Sequence, residues 1–451
     1  MVYASTNPFT GEVLATFDYA SDTEVADALG RAHVAFSAWA ATPVAERASL
    51  LARAAAIMRE RSDELAHLQT LEMGMVTSLS QLQVSTVAPN ILDYYAAHGE
   101  ELLAAEDLGG GARVVRDPLG IVFAIEPWNV PYYQVARAAA PSLVAGNVVI
   151  LKHAGIVPQT SAAIEAIFRD AGFPDGVFTN LYASHDQTAR IIHDPRVRAV
   201  TLTGSDQAGR IVAAQAASAV TPAVLELGGS DPLVILDDAD VELALTHAMN
   251  RFRLCGQTCV SPKRIIVAAS RYDEFLSAYT ERCGTLTIGD PFDPSVAVGP
   301  LASQDQADAV SAQIAEAIAG GATATPVGPA IPSAGAFVQP TILTDVRPDN
   351  PLYGEEVFGP VAMVFSAADD EDAVRIANAT RYGLGGSVFS TDTDRAERIA
   401  RRIDAGMVWI NHAAGTEARL PFGGTKESGY GTELGRAGLL QFVNNKLVNR
   451  P

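Results

Sequence analysis

From Ser21 to about Gly74 apolar residues recur at helical spacing, with Val25, Ala28 and Leu29 on one face and Leu50, Leu51, Ala54 and Ile57 on another. The spacing predicts an amphipathic helical opening. From Gly120 the texture changes to short apolar runs: Ile121-Val122-Phe123-Ala124-Ile125, Val148-Val149-Ile150-Leu151, Val200-Thr201-Leu202 and Val224-Leu225-Glu226. Helix-length segments separate them, which implies βαβ units and a parallel sheet. A second set predicts a second α/β domain: Ile265-Ile266-Val267, Val361-Ala362-Met363-Val364-Phe365, Gly386-Ser387-Val388-Phe389 and Met407-Val408-Trp409-Ile410, with helices over 371–379 and 394–403. Two pieces fit neither set, Gly109 to Arg116 and Leu440 to Val448. Both read as exposed strands, which require a partner. The Ala/Gly/Pro-rich stretch 319–336 reads as a loop.

A chain of 451 residues implies two or three domains. Its 32 Lys plus Arg against 52 Asp plus Glu leave a net charge of −20. Such a surface repels phosphate backbones and anionic lipid, which argues against nucleic acid and membrane partners. Three cysteines at no disulfide-like spacing suit a reducing compartment. The first residues lack a secretory pattern and no apolar run has the length of a membrane span, so a cytoplasmic location is expected.

The candidate chemistry centres on Cys259, in Cys255-Gly256-Gln257-Thr258-Cys259-Val260-Ser261, and on Glu226, 33 residues earlier in Glu226-Leu227-Gly228-Gly229. Each reads as part of a Gly-bearing turn after an apolar strand-like segment, and together they form a candidate nucleophile and base. Cys259 is expected in a solvent-reachable turn that stabilises its thiolate. Cys255, one helical turn away, reads as filler. A carboxylate that ends an apolar strand has a raised pKa and can serve as a general base near neutrality. Pro127-Trp128-Asn129-Val130-Pro131 is a stiff turn that presents the Asn129 amide as an oxyanion donor. Gly204-Ser205-Asp206-Gln207-Ala208-Gly209 follows a strand and opens a helix, where a pyrophosphate could rest on the N-terminus; its spacing is not Gly-x-Gly-x-x-Gly. Lys152 closes its strand and could hydrogen-bond ribose hydroxyls.

These residues resemble the aldehyde dehydrogenases over nearly the whole chain. The motifs that carry the resemblance are Asn7-Pro8-Phe9-Thr10-Gly11, Pro127-Trp128-Asn129, Glu226-Leu227-Gly228-Gly229, Gly256-Gln257-Thr258-Cys259, Glu355-Glu356-Val357-Phe358-Gly359-Pro360 and Pro421-Phe422-Gly423-Gly424, in the family's order. The resemblance implies an α/β fold with three parts. These are a Rossmann-type nucleotide-binding domain over 1–99 and 119–227, an α/β catalytic domain over 228–430, and a small β oligomerisation domain over 100–118 and 431–451 that makes a homodimer or homotetramer. It implies that Cys259 attacks an aldehyde, Asn129 and the Cys259 backbone N–H hold the oxyanion, and Glu226 activates water against the resulting thioester. Trp128, Lys152, Gly155, Gly204, Ser205, Gly209, Glu356 and Phe358 would face NAD or NADP. No metal is implied.

Where many NAD-preferring relatives carry Glu, three residues after the lysine, this chain has Gly155. Without a carboxylate to repel a 2′-phosphate, NADP should be tolerated or preferred. Arg137, Arg253 and Thr416 align with substrate-binding positions of succinate semialdehyde dehydrogenases and are expected to clamp a distal carboxylate. Alternatives from the same residues are a dehydrogenase of another small aldehyde, with the arginines structural, and a silent nucleotide-binding relative. The presence of Glu226 argues against a CoA-acylating member.

Overall fold

A computed structural model describes residues 3–450. The helical opening forms as three helices, Asp22–Ala41, Val44–Glu60 and Ser62–Met73. The first begins at a reciprocal cap: the Glu24 N–H donates to the Ser21 hydroxyl at 3.2 Å, and the Ser21 N–H donates to the Glu24 carboxylate at 2.7 Å. The second packs on the helices Ala88–Leu103, Pro131–Ala145 and Pro158–Asp170, the third on Pro158–Asp170, and the first on a six-stranded sheet in the order Gly429–Tyr430, Ala223–Glu226, Val197–Thr203, Ile121–Glu126, Val148–His153, Phe178–Asn180. All its neighbours are parallel except Gly429–Tyr430. Helices cover the parallel strands, so these read as unbroken apolar runs rather than as alternation. The chain leaves Ile121–Glu126 first toward one edge and later returns on its other side as Val197–Thr203. That reversal opens a crevice at the carboxyl ends of the two strands, where open α/β sheets hold ligands.

A seven-stranded sheet forms a second core, in the order Thr323–Pro326, Thr341–Thr344, Val361–Ala367, Arg264–Ala268, Pro232–Ile235, Gly385–Phe389, Met407–Ile410. Strand Thr323–Pro326, antiparallel at the edge, lies within the stretch expected to be loop. Its Thr-Ala-Thr-Pro sequence is too polar to signal a strand, and the pairing to Thr341–Thr344 creates it. The third sheet joins Val443–Asn449, Ala112–Pro118 and Glu106–Gly109, all antiparallel. Here the expected strand Leu440 to Val448 begins later, because Gly435–Gln441 is helical. Gly429–Tyr430 pairs with Ala223–Glu226 of the six-stranded sheet although it lies within the 228–430 segment. No described helix is long and apolar enough to cross a membrane.

Candidate active site

Pro127-Trp128-Asn129 follows Ile121–Glu126 and Gly204-Ser205 follows Val197–Thr203, so the switch point brings both turns to one cleft. The cleft encloses about 200 Å³ and is lined by Trp128, Asn129, Gly204, Ser205, Gly228, Cys259, Glu356 and Phe358 among others. Trp128 meets Phe358 edge to face at 5.8 Å and forms one wall. Cys259 is partly exposed to this space.

Cys259 does not follow a strand, as its sequence setting suggested. It follows the 3₁₀ segment Met249–Gly256, which ends in three successive left-handed residues, Leu254, Cys255 and Gly256, at φ 54°, 51° and 72°. Two of the three carry side chains, and such a conformation costs about 1–3 kcal/mol per non-glycine residue. A Cβ at Gly256 would collide with the Gly359 carbonyl, so the loop touches the Glu355–Pro360 motif backbone to backbone. No helical turn links Cys255 to Cys259. Cys255 is buried with its thiol pushed up to about 12, which leaves it inert.

Two fully buried cations hold this strained loop, and sequence reading missed both. Arg251 donates to the Gly256 carbonyl at 3.0 Å, the Ser261 hydroxyl at 2.9 Å and the Val357 carbonyl at 2.7 Å. Lys263 donates to the carbonyls of Thr258 and Cys259, both at 2.8 Å, and pairs with Glu356 at 3.1 Å. Glu356 also accepts from the Gly229 N–H at 3.1 Å, so its carboxylate is held by Lys263 and Gly229 at the cleft wall. A Cβ at Gly228 would strike the Glu356 carboxylate and one at Gly229 the Cys259 carbonyl, which accounts for the paired glycines. The one available signal was a basic pair, Lys263-Arg264, directly before the apolar run of a central strand.

Burial pushes the Cys259 thiol up to about 11, against the pull of Arg137 and Lys263. The thiol is therefore the resting form, contrary to the expectation of a stabilised thiolate. Glu226 ends its strand within electrostatic reach of Cys259, 2% exposed, and neither carboxylate oxygen has a hydrogen-bond partner among the described residues. Burial raises its pKa well above the usual carboxylate range, Arg137 opposes the shift, and Glu433 adds to it. Asn129 is 4% exposed and donates from its amide to the Gln257 carbonyl at 3.1 Å, which leaves its second amide hydrogen free.

On the cofactor side, Lys152 is buried and its pKa falls to about 8 from desolvation alone. A buried ammonium with no carboxylate partner among the described residues fits an anionic or hydroxyl-rich ligand, as a nucleotide would supply. A Cβ at Gly155 would meet nothing closer than 3.9 Å, so the missing carboxylate leaves open space. Ser205 caps the helix Asp206–Ser218. Gly209 corrects the expectation: it is buried inside that helix, where a Cβ would collide with Leu227, and it serves packing rather than the cleft.

The expected substrate clamp is also revised. Arg137 is wholly buried, paired through Nε with Glu433, and it donates to Thr203 at 2.9 Å and to the Tyr133 hydroxyl at 3.2 Å. Its guanidinium lies over the Phe422 ring at 4.4 Å. A group so engaged acts within the core and is not free to capture a substrate carboxylate. Arg253 is exposed at the loop kink and lines neither the cleft nor the space around Thr416. Thr416 accepts from Tyr133 at 2.9 Å and lines a separate cavity of about 380 Å³ with Tyr94, Tyr133, Glu417 and Arg419. Replacing Arg137 with Ala is expected to destabilise the fold by about 3–5 kcal/mol, because Glu433 is left buried without its partner. It should also lower activity on every aldehyde alike. Urea unfolding and a two-substrate assay check this, and a loss confined to acidic aldehydes would restore the clamp.

The profile of the Aldehyde dehydrogenase family matches residues 1–448. The succinate-semialdehyde dehydrogenase (NADP+) of Deinococcus radiodurans is 46% identical, over 99% of this chain and 94% of that protein. The corresponding enzyme 1 of Mycobacterium tuberculosis is 42% identical over 99% of both. The crystal structure of succinic semialdehyde dehydrogenase from Streptococcus pyogenes with NADP+ superposes with a TM-score of 0.97 at 39% identity, covering all of both chains. With its fold, its motifs and these similarities spanning the same residues, the chain belongs to the aldehyde dehydrogenase family.

Proposed function

We propose that the protein oxidises succinate semialdehyde to succinate with NADP+ as the preferred acceptor. The observation that carries the chemistry is a thiol lining a cleft of about 200 Å³, with a buried carboxylate that has no hydrogen-bond partner among the described residues and lies in electrostatic reach of that thiol. Cys259 gives up its thiol proton to water, Sγ bonds to the aldehyde carbon as the C=O π pair moves to oxygen, and the developing oxyanion is held by the Asn129 amide and the Cys259 N–H, each donor worth about 3 kcal/mol. Trp128 and Phe358 would hold a nicotinamide, which would supply the hydride acceptor. The carbonyl re-forms as a thioester on Cys259. Glu226 then takes a proton from water, the water oxygen bonds to the acyl carbon, and the C–S bond breaks.

For the substrate, the support comes from the named relatives. For the cofactor, it comes from the space at Gly155 and the unpaired Lys152. Both exposed outer strands of the third sheet, with Leu447 62% and Leu108 55% exposed, support a homo-oligomer built on that sheet. A screen of aldehydes with both cofactors tests the reading. Succinate semialdehyde should exceed butanal in kcat/KM by about tenfold or more. NADP+ should exceed NAD+. Equal rates on butanal would move the assignment to another small aldehyde, and a hundredfold preference for NAD+ would defeat the cofactor assignment.

A further inference from the structure

Asp206, Glu355 and Glu427 lie in three separate segments of the chain, and the Arg381 guanidinium joins all of them. Arg381 Nε donates to both oxygens of Glu355, at 3.1 and 3.0 Å, and one terminal nitrogen adds a bond to the same carboxylate at 2.8 Å. The other terminal nitrogen donates to Asp206 at 2.6 Å and also to Glu427. Arg210, one turn along the helix that Asp206 begins, pairs with Glu427 at 2.7 Å and approaches Asp206 at 4.0 Å. The Arg381 guanidinium also lies over the Tyr382 ring at 4.3 Å, and a Cβ at Gly228 would meet that ring at 3.1 Å. Each of these segments leads to the cleft. Asp206 follows Ser205 and Glu355 precedes Glu356, and Ser205, Glu356 and Gly228 all line it. Glu427 precedes Ser428, whose carbonyl accepts from the Leu227 N–H at 3.0 Å, directly after Glu226. Arg381 itself does not line the cleft.

An isolated surface ion pair contributes little, but a forked contact to one carboxylate inside a network of several charges is the exception. Resting on the reading of this cleft as the cofactor's, we propose that Arg381 is a positioning residue that clasps the two walls of the cleft, the start of the helix Asp206–Ser218 and the Glu355–Pro360 motif, and so sets how tightly and how long the dinucleotide is held. One wall presents Ser205 and the helix N-terminus, and the other presents Glu356 and Phe358. A ligand that touches both walls binds more weakly when their spacing fluctuates, because binding must then order what the clasp has already ordered. Arg381 reaches no reacting group, so the chemical steps that follow cofactor seating do not depend on it. Lysine cannot take its place, since a point charge on a flexible stem does not fork across three carboxylates. The four side chains are half-buried, so the network acts on geometry at the cleft more than on the stability of the fold.

The test follows binding of NADPH, or of NADH if the native protein takes only that, by nucleotide fluorescence without aldehyde, with stopped flow for the dissociation rate. Arg381→Gln should raise Kd by about threefold to tenfold, mostly through faster release. The KM for the oxidised cofactor should rise with it, while kcat at saturation stays at or above native. Arg381→Lys should keep most of the defect although the charge is preserved. Asp206→Asn should weaken binding too, and the double variant should bind no worse than Arg381→Gln alone, because both cut one clasp. In the free protein, amide hydrogen exchange over 205–210 and 355–360 should quicken in Arg381→Gln while the urea midpoint stays near native. A native Kd and dissociation rate in Arg381→Gln, a loss of kcat at unchanged KM, or additive losses in the double variant would overturn the proposal. If the native protein binds neither reduced nucleotide, the cofactor reading fails. Unchanged exchange over both segments in Arg381→Gln refutes the clasp independently of that reading.

Discussion

Replacing Cys259 with Ala is expected to reduce kcat by on the order of 10⁴-fold or more, with no burst of reduced cofactor. The reason is that no second sulfur can stand in. Cys255 and Cys283 are buried, and each thiol is pushed up to about 12. Cofactor affinity should be nearly unchanged, since Trp128, Lys152 and Phe358 remain in place. Steady-state rates, together with mass spectrometry after mild iodoacetamide treatment, check both halves: the native protein gains one adduct at residue 259 and the variant gains none. Activity within tenfold of native would remove the covalent mechanism altogether. In the native enzyme the rate should climb from neutral into alkaline pH. The thiol must lose a proton from a group raised to about 11, and Glu226, also raised, works only when ionised, so both demands favour higher pH.

Glu226→Gln should separate the two half-reactions. Hydride transfer needs the sulfur and the oxyanion donors, so one equivalent of reduced cofactor per site should still appear. Hydrolysis needs a base, so the subsequent steady rate should drop by about 10²- to 10⁴-fold. Acyl-enzyme should then accumulate and be visible as an intact mass shift on the peptide containing Cys259. Loss of the burst together with the steady rate would mean that Glu226 acts before the thioester and would reassign its role. The amide is close in shape to the carboxylate and removes a buried charge that has no hydrogen-bond partner, so folding should survive the change.

Much of the architecture was legible because each central strand is buried on both faces and therefore written as a continuous apolar run, as in Val148–His153 and Val361–Ala367. The amphipathic helices of the opening were equally plain. Strands such as Thr323–Pro326 and Phe178–Asn180 were not, since they are short and owe their existence to a neighbour rather than to their own composition. Arg137 shows the same limit at the site. Its position in the chain pointed to a substrate clamp, but partners 66 and 296 positions away, Thr203 and Glu433, hold it inside the core. Gly209, similarly, is explained by Leu227 and not by a phosphate.

The order of residues alone determined which chemical groups this protein possesses: a thiol in a glycine-marked turn, a strand-ending carboxylate and a stiff amide-bearing turn. Those depend on local composition and short spacing, which a chain carries before it folds. Only the tertiary structure decided which charges face one another. Arg251 and Lys263 bracing the nucleophile loop, and three carboxylates gathered on one guanidinium, arise where separate strands and helices meet. The protonation of a buried group depends on exclusion of water and on charges brought close from distant parts of the chain, and neither exists until the sheets have packed.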